Sequence, residues 1–207
     1  MIVVKGGPPE LEFQPLTPER WADLEALFRA ADETEAGNPA GCWCMEWRMD
    51  RAEWRAGSGD LNRRAMKRFI DEGNVPGILA YRGGQTVGWC SIAPRRTLIG
   101  LKEVGTYRNF ENPGVWSVSC FYVPTQARGQ GLTLALLRAA VQHAAAGGAK
   151  IVEGYAVEGQ SYMGQLSTFQ KAGFEAVGPP GELKGEYSQY SGRQRVVRYY
   201  VSGKRGG

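Results

Sequence analysis

The chain has 207 residues, 43% of them hydrophobic and 11% aromatic, so it can bury one sizeable core and is not a disordered sequence. Its net charge of +4, from 25 basic and 21 acidic residues, is too small to indicate a nucleic-acid-binding face. A charge of this size fits an anionic small molecule, or a solvated surface with no particular partner. No apolar run approaches the roughly 20 residues of a membrane span, so we expect one cytoplasmic domain over 1–207, with flexible ends at 1–10 and 203–207.

The first half of the chain is predicted to contain a strand and two helices. The strand is Leu11–Leu16, where apolar and polar residues alternate. A helix follows from Thr17 to Ala31, because threonine is a good N-cap and proline suits the next position. Residues 32–50 are predicted to form a loop or a broken helix, and a second helix spans Leu61–Asp71.

The second half is predicted to be mostly strands. Its elements, in order, are a hairpin of Gly77–Tyr81 and Thr86–Ile92, an irregular segment 94–113, a buried strand Val115–Val123, a helix Leu132–Ala146, a strand Ile151–Val157, a short helix from Ser161 or Tyr162 to Ala172, a polar loop Glu182–Gln194 and a last strand Val196–Val201. The strand–helix–strand unit 115–157 should place its two strands in parallel, while the hairpin makes the sheet mixed.

The four cysteines do not have the spacing of a zinc site. Cys42 and Cys44 form a C-x-C pair, whereas zinc sites usually carry C-x₂₋₄-C pairs, and the single histidine lies in the predicted helix 132–146. Cys90 and Cys120 lie in strand-like runs and are expected to be buried as small apolar side chains. We therefore predict no metal site and no disulfide.

The segment Gln126–Gly131 is a glycine-rich turn between a buried strand and an amphipathic helix. Its glycines allow the backbone to approach a ligand, and the free N–H groups of the following helix favour a phosphate. The segment is not a P-loop, because Leu132-Thr133 follows where Lys-Ser or Lys-Thr is needed, and Leu134 breaks the dinucleotide fingerprint. On the glycines alone, a tight turn without a ligand remains an equal alternative.

Two motifs resemble the GNAT superfamily of N-acetyltransferases. Gln126-Ala-Arg-Gly-Gln-Gly131, after a Val-Pro pair, resembles the family's Q/R-x-x-G-x-G/A motif, and Lys171-Ala-Gly-Phe174 resembles its K-x-G-F segment. The motifs cover residues 115–174, and the order of elements extends the likeness to most of the chain. The implied fold is an α/β GNAT fold, with a mixed, mostly antiparallel sheet of about seven strands flanked by helices and a splayed parallel pair at its centre. The Gly-Cys-Trp-Cys segment also resembles a bacterial branch whose substrate is poorly assigned.

The resemblance implies an acetyl-CoA-dependent N-acyltransferase, in which a primary amine of a small molecule or peptide attacks the thioester directly. Backbone N–H groups of Ala127–Leu132 would hold the pyrophosphate. The pantetheine arm would run beside Phe121–Val123, with an N–H near Val123 facing the developing oxyanion. The implied cofactor-binding residues are Phe121, Tyr122, Val123, Gln126, Ala127, Arg128, Gly129, Gln130, Gly131, Leu132 and Phe169.

The chain departs from the family pattern at its proton-transfer groups. Many members have an acidic tyrosine where this chain has Phe169, and the strand 115–123 carries no carboxylate. Our candidate base is Glu153, with Tyr155 on the same strand face, although a solvated strand-end charge is an equal alternative. The nearest polar groups on the strand 115–123 are Ser117, Ser119 and Cys120. Water, Cys120 or Tyr155 would supply the proton to the thiolate, which can also leave without an acid.

The acceptor site is expected under the loop between the first two helices. Trp43, Cys44, Glu46 and Trp47 would line it, although an aromatic cluster is also typical of a core. Two other functions remain open: a non-catalytic acyl-CoA-binding sensor, and a nucleic-acid module built on the mixed-charge stretch Arg48–Arg68. The acceptor, the acyl chain length and the oligomeric state, including a homodimer, stay undetermined by the sequence.

Overall fold

The computed structural model describes residues 2–3, 11–31, 39–57, 59–104, 110–157, 164–177 and 194–201. Its strands are β1 (Ile2–Val3), β2 (Leu11–Pro15), β3 (Gly77–Arg82), β4 (Gln85–Pro94), β5 (Val115–Tyr122), β6 (Ile151–Val157), β7 (Glu175–Ala176) and β8 (Gln194–Tyr200). Its helices are α1 (Trp21–Arg29), α2 (Pro39–Cys42), α3 (Arg51–Ala56), α4 (Asp60–Asp71), α5 (Leu101–Val104), α6 (Leu132–Ala146) and α7 (Leu166–Lys171). Short 3₁₀ turns lie at Pro18–Arg20, Arg95–Thr97 and Thr125–Ala127.

In the described residues the strands form one mixed sheet, in the order β1-β2-β3-β4-β5-β6-β8-β7. All neighbours pair antiparallel except β5 and β6, which are parallel. Their pairing extends only from Val115↔Ile151 to Val118↔Gly154, although both strands continue for several residues. The predicted fold class, including the splayed parallel pair at the centre of the sheet, is confirmed.

Helices cover the two faces of the sheet and give the protein two cores. On one face α6 and α7 pack with the side chains of Val118 and Phe121. On the other face α1 and α4 pack with Cys120 and Tyr122. A β-bulge interrupts the alternation of β5, because Ser91 is opposite Cys120 while Ile92 is opposite Val118, which leaves Ser119 as the extra residue. Such bulges re-aim side chains and are frequent beside active sites.

Most predicted elements agree with the structure to within two residues, and α6 and β6 have the predicted bounds. Among the described residues, the short elements β1, α3, α5 and β7 were missed. The side chain of Asp50 caps α3 by accepting hydrogen bonds from the amides of Ala52 and Glu53, which is an N-cap signal in the sequence.

The last predicted helix is shorter than expected, since α7 begins only after Gln165. Residues 161–163, and 182–193 of the predicted polar loop, lie outside the described residues. Thr17 is the N-cap residue as predicted, with Pro18 at the next position, but its side chain caps no amide and accepts a hydrogen bond from Arg20 instead. In the part of the chain that the structure describes, no helix is long and apolar enough to cross a membrane.

Candidate active site

The glycine-rich turn forms an open cradle at the N-terminus of α6. Gly129 and Gly131 have φ angles of 74° and 76°, in the left-handed region that side chains rarely adopt. A Cβ at either position would meet no atom within 4 Å, so the surface above both glycines is open. Gly131 is the N-cap residue, and the amides of Leu132–Leu134 have no intrahelical acceptor. This combination of open backbone, free amides and helix dipole fits a pyrophosphate.

Side chains on both sides hold the cradle in place. The 3₁₀ turn Thr125–Ala127 links β5 to the glycines. Arg128 folds back, and its Nε donates to the carbonyl oxygen of Val123 at 2.9 Å. Gln130 accepts a 2.6 Å hydrogen bond from Nη1 of Arg82 at the end of β3. The structure thus joins the turn to two strands, and Arg82 is a supporting residue that the sequence analysis missed.

The gap between β5 and β6 begins at Gly154 and is lined by Phe169 on the α7 side. A Cβ at Gly154 would lie 2.4 Å from Cε1 of Phe169, so only glycine fits beneath this ring. The ring of Phe169 is fully buried and packs edge-on against Phe121, with centroids 6.2 Å apart. The residues implied for the pantetheine arm therefore meet at the gap, beside the cradle.

Glu153 is fully buried and lies at the centre of a polar network on the opposite face. Its carboxylate accepts hydrogen bonds from Nη1 of Arg95 at 3.0 and 3.2 Å and from Nε of Arg198 at 2.8 Å. The hydroxyl of Tyr155 donates to the same carboxylate at 3.0 Å and lies 2.9 Å from Oγ of Ser117. The alternative of a solvated strand-end charge is therefore wrong, and the expectation that Tyr155 shares the face of Glu153 agrees with the geometry.

Arg95 is the main residue of this network that the sequence analysis did not identify. Its side chain is only 2% exposed, and it forms a buried ion pair with Glu153. The guanidinium also packs over the ring of Phe110, at 5.6 Å from the centroid. Arg95 belongs to a segment that reads as irregular, and nothing in its spacing indicates burial.

The expected acceptor-site segment is largely core. Trp43, Cys44 and Trp47 are each less than 5% exposed, whereas Glu46 is half-buried. Trp43 and Cys44 have φ angles of 48° and 53°, which are strained values for residues with side chains. The strained turn places Trp43 against Trp21, with centroids 5.7 Å apart, and Sγ of Cys44 at 3.3 Å from Nε1 of Trp89.

The thiols near this segment are free and protonated at neutral pH. A hydrogen bond with Cys120, together with burial, raises the pKa of Cys44 well above its usual range. The bond to Cys44 lowers the pKa of Cys120, but burial and the neighbouring thiols outweigh it and raise that pKa overall. Cys120 is thus a neutral thiol rather than a thiolate nucleophile. Among the described residues, no group of three or more His, Cys, Asp or Glu side chains is arranged to hold a metal.

The family model that matches the chain is the acetyltransferase (GNAT) family, over residues 43–174. The chain belongs to this family. It is therefore an N-acetyltransferase by family, and its cofactor is acetyl-CoA. A search of curated proteins finds no match.

Solved structures share the fold at low sequence identity. A ribosomal-protein-alanine N-acetyltransferase from Brucella melitensis is 20% identical, with a TM-score of 0.56, and the match covers 91% of this chain and 99% of that one. An acetyltransferase from Salmonella typhimurium, solved with acetyl-CoA, is 13% identical, with a TM-score of 0.59 and coverage of 95% and 97%. A GNAT acetyltransferase from Listeria monocytogenes is 11% identical, with a TM-score of 0.60 and coverage of 96% and 99%.

Proposed function

We propose that this protein transfers an acetyl group from acetyl-CoA to a primary amine of a small molecule or peptide, by direct attack of the amine. The observation that carries the proposal is the open cradle at Gly129 and Gly131, which lies directly beside the gap between β5 and β6. Acetyl-CoA supplies a thioester as the acyl donor. In this proposal the cradle amides bind the pyrophosphate, and Phe121 and Phe169 position the pantetheine arm.

The acceptor amine must lose a proton, because an alkylamine with a pKa of about 10.4 is almost fully protonated at neutral pH. We propose that the proton leaves through the Tyr155 hydroxyl, which passes its own proton to Glu153 at 3.0 Å. The backbone of Tyr155 follows Gly154, the last β6 residue paired with β5, so it lies where the gap opens, and its hydroxyl lies between Ser117 and Glu153. Glu153 then acts through Tyr155, because Arg95 and Arg198 already occupy its two oxygens.

A non-catalytic acyl-CoA-binding sensor is the second candidate. The observation that favours it is Phe169, which is fully buried and carries no hydroxyl where many family members have an acidic tyrosine. A thiol is a tolerable leaving group near neutral pH, however, so the missing phenol does not exclude turnover. A thiol-release assay with acetyl-CoA and a panel of primary amines separates the two functions, because the sensor gives no amine-dependent release.

The cradle is tested by measuring acetyl-CoA affinity with calorimetry on variants of Gly129. Gly129→Ala introduces left-handed strain of about 1–2 kcal/mol without a clash, whereas Gly129→Glu adds a negative charge facing the pyrophosphate. We expect the dissociation constant of Gly129→Glu to exceed that of Gly129→Ala by at least about tenfold, since 1.4 kcal/mol of repulsion suffices.

The matched control is Gly148→Glu at the other end of α6. Gly148 has a φ angle of 86° and nothing within 4 Å of its Cβ position, so this variant carries the same strain and the same charge away from the cradle. It should bind acetyl-CoA as the wild type does. Equal affinities for folded Gly129→Glu and Gly129→Ala would place the cofactor elsewhere.

A further inference from the structure

Arg48 ends the segment that begins at Gly41 and is buried against the sheet, with only 8% of its surface exposed. Its Nη2 donates to the carbonyl oxygen of Pro76 at 2.7 Å and to Oγ of Ser91 at 2.9 Å. The guanidinium also lies over the ring of Phe69, at 5.3 Å from the centroid. Three contacts therefore fix the position of this side chain.

Two nitrogens of Arg48, Nε and Nη1, are buried and have no hydrogen-bond partner. In the described residues no carboxylate pairs with Arg48, in contrast to the equally buried Arg95, whose charge is neutralised by Glu153. Burial lowers the pKa of Arg48 to about 10, so the side chain still carries its charge at neutral pH. A buried cation without an anion is costly, and this cost is removed by a bound anion.

The groups nearest to Arg48 do not supply that anion. The electrostatic neighbours of its guanidinium are the thiols of Cys44 and Cys120, and both thiols stay protonated at neutral pH. Ser91 and Ser119 add neutral hydroxyls that form a 2.9 Å hydrogen bond with each other. Arg48 thus contributes one uncompensated positive charge, with the hydroxyl of Ser91 at its side.

This charge lies close to the proposed site of acyl transfer. Ser119 is the bulged residue of β5 and the first one past Val118, where pairing with β6 stops. Arg48 is joined to Ser119 through Ser91 by two successive hydrogen bonds. An anion bound at Arg48 would therefore lie near the opening of the gap, separated from Ser119 by two hydrogen bonds.

We propose that Arg48, through its unpartnered Nε and Nη1, binds a carboxylate of the acceptor, so that the acceptors are compact amino acids carrying both an amine and a carboxylate. One uncompensated positive charge matches the single charge of a carboxylate better than the charge of about −1.5 to −2 of a phosphate monoester. This inference rests on the proposed acetyl transfer and specifies its substrate class.

The first test needs only the wild-type protein and matched acceptor pairs. Thiol release from acetyl-CoA is measured with L-alanine against L-alaninamide and with L-phenylalanine against L-phenylalaninamide. We expect kcat/KM to be about ten- to hundredfold higher for the acids, the range of a hydrogen bond to a charged group. The amine of each amide is less basic than the amine of the matching acid, so a larger fraction of it is unprotonated at neutral pH. Amine protonation would therefore favour the amides and cannot explain faster reaction of the acids. Equal or better rates with the amides would overturn the proposal.

The second test compares Arg48→Met with Arg64→Met, a control that removes an equivalent charge from an exposed position on α4. Arg48→Met should lower kcat/KM for the acids about ten- to hundredfold, leave the amides within about threefold, and leave acetyl-CoA affinity unchanged. An equal loss for acids and amides would show a structural role for Arg48 and refute carboxylate binding. If acetyl-CoA binds but neither the acids nor the amides are acetylated, both the proposed acetyl transfer and the carboxylate site are refuted. If the amides are acetylated and the acids are not preferred, only the carboxylate site is refuted.

Discussion

Replacing Glu153 by glutamine tests whether this residue is mainly a structural anchor or mainly a catalytic base. The variant keeps the shape of the side chain and removes its charge. In the wild type the carboxylate accepts hydrogen bonds from Arg95, Arg198 and Tyr155. Glutamine retains one acceptor oxygen, and its NH₂ group would face a guanidinium, which is also a donor.

The size of the effect follows from the burial of the two arginine partners. Arg198 is 30% exposed and can recover part of its hydration, so its loss is small. Arg95 is 2% exposed and would keep a buried charge with no carboxylate. Removing one partner of a buried ion pair typically costs about 3–5 kcal/mol, and we expect Glu153→Gln to destabilise the protein by this amount.

Urea unfolding followed by tryptophan fluorescence measures the loss directly. With a denaturant dependence of about 2–3 kcal/mol per molar urea, the midpoint should fall by roughly 1–2 M. Glu12→Gln is the control, because Glu12 is an exposed glutamate of β2 and its replacement should change stability by less than about 0.5 kcal/mol. A loss below about 1 kcal/mol for Glu153→Gln would mean that the ion pair with Arg95 does not support the fold.

Tyr155→Phe separates stability from catalysis at the same network. This variant removes one hydroxyl and leaves the ion pairs of Glu153 with Arg95 and Arg198 in place, so we expect a stability loss of only about 0.5–1.5 kcal/mol. If the proton leaves through Tyr155, turnover should nevertheless fall by about 10²–10⁴-fold in both variants. Turnover within about twofold of wild type for folded Tyr155→Phe would exclude the proposed route.

Two further predictions concern single aromatic side chains. Phe169→Tyr should change turnover by less than about tenfold in either direction if the thiolate leaves unaided, whereas a rise of a hundredfold would favour the sensor function. His143 is the chain's only histidine, and burial lowers its pKa. As the pH falls through about 6.5, His143 is therefore protonated in the unfolded chain before it is protonated in the folded protein. The free energy of unfolding should fall between pH 7.5 and 5.5 as a result. Urea unfolding of His143→Gln at both pH values should remove most of this slope; an unchanged slope would assign it to other groups.

The sequence predicted the fold well where local signals and burial agree. Helix 132–146 has a full apolar stripe and ends at a glycine pair, and its bounds were predicted without error. The bulge at Ser119 was not predicted, because it depends on the pairing register of β4 and β5. The two-residue strand β1 was missed for a similar reason, since its partner β2 lies several residues away and a short segment carries no periodicity of its own.

The cradle was predictable because its glycines and helix start lie in one contiguous segment. Glu153 was identified as a candidate from its position near the start of a strand, and Tyr155 from the strand period. The structure brings both together with Arg95, which is 58 residues away from Glu153 in sequence. A resemblance in motif supplies the identity of such residues but not their partners. The partners decide whether a buried carboxylate is available to accept a proton.

The two buried arginines show why this distinction matters for function. Arg48 and Arg95 look alike in the sequence, each in an irregular segment next to other charged residues. In the fold, Arg95 pairs with the carboxylate of Glu153, while Arg48 donates only to the hydroxyl of Ser91 and the carbonyl oxygen of Pro76. Since burial costs both cations a similar amount, the cation without an internal anion is the one that an external anion stabilises most. On this face we therefore expect Arg48, rather than Arg95, to bind the carboxylate of the proposed acceptor, while the ion pair of Arg95 supports the fold.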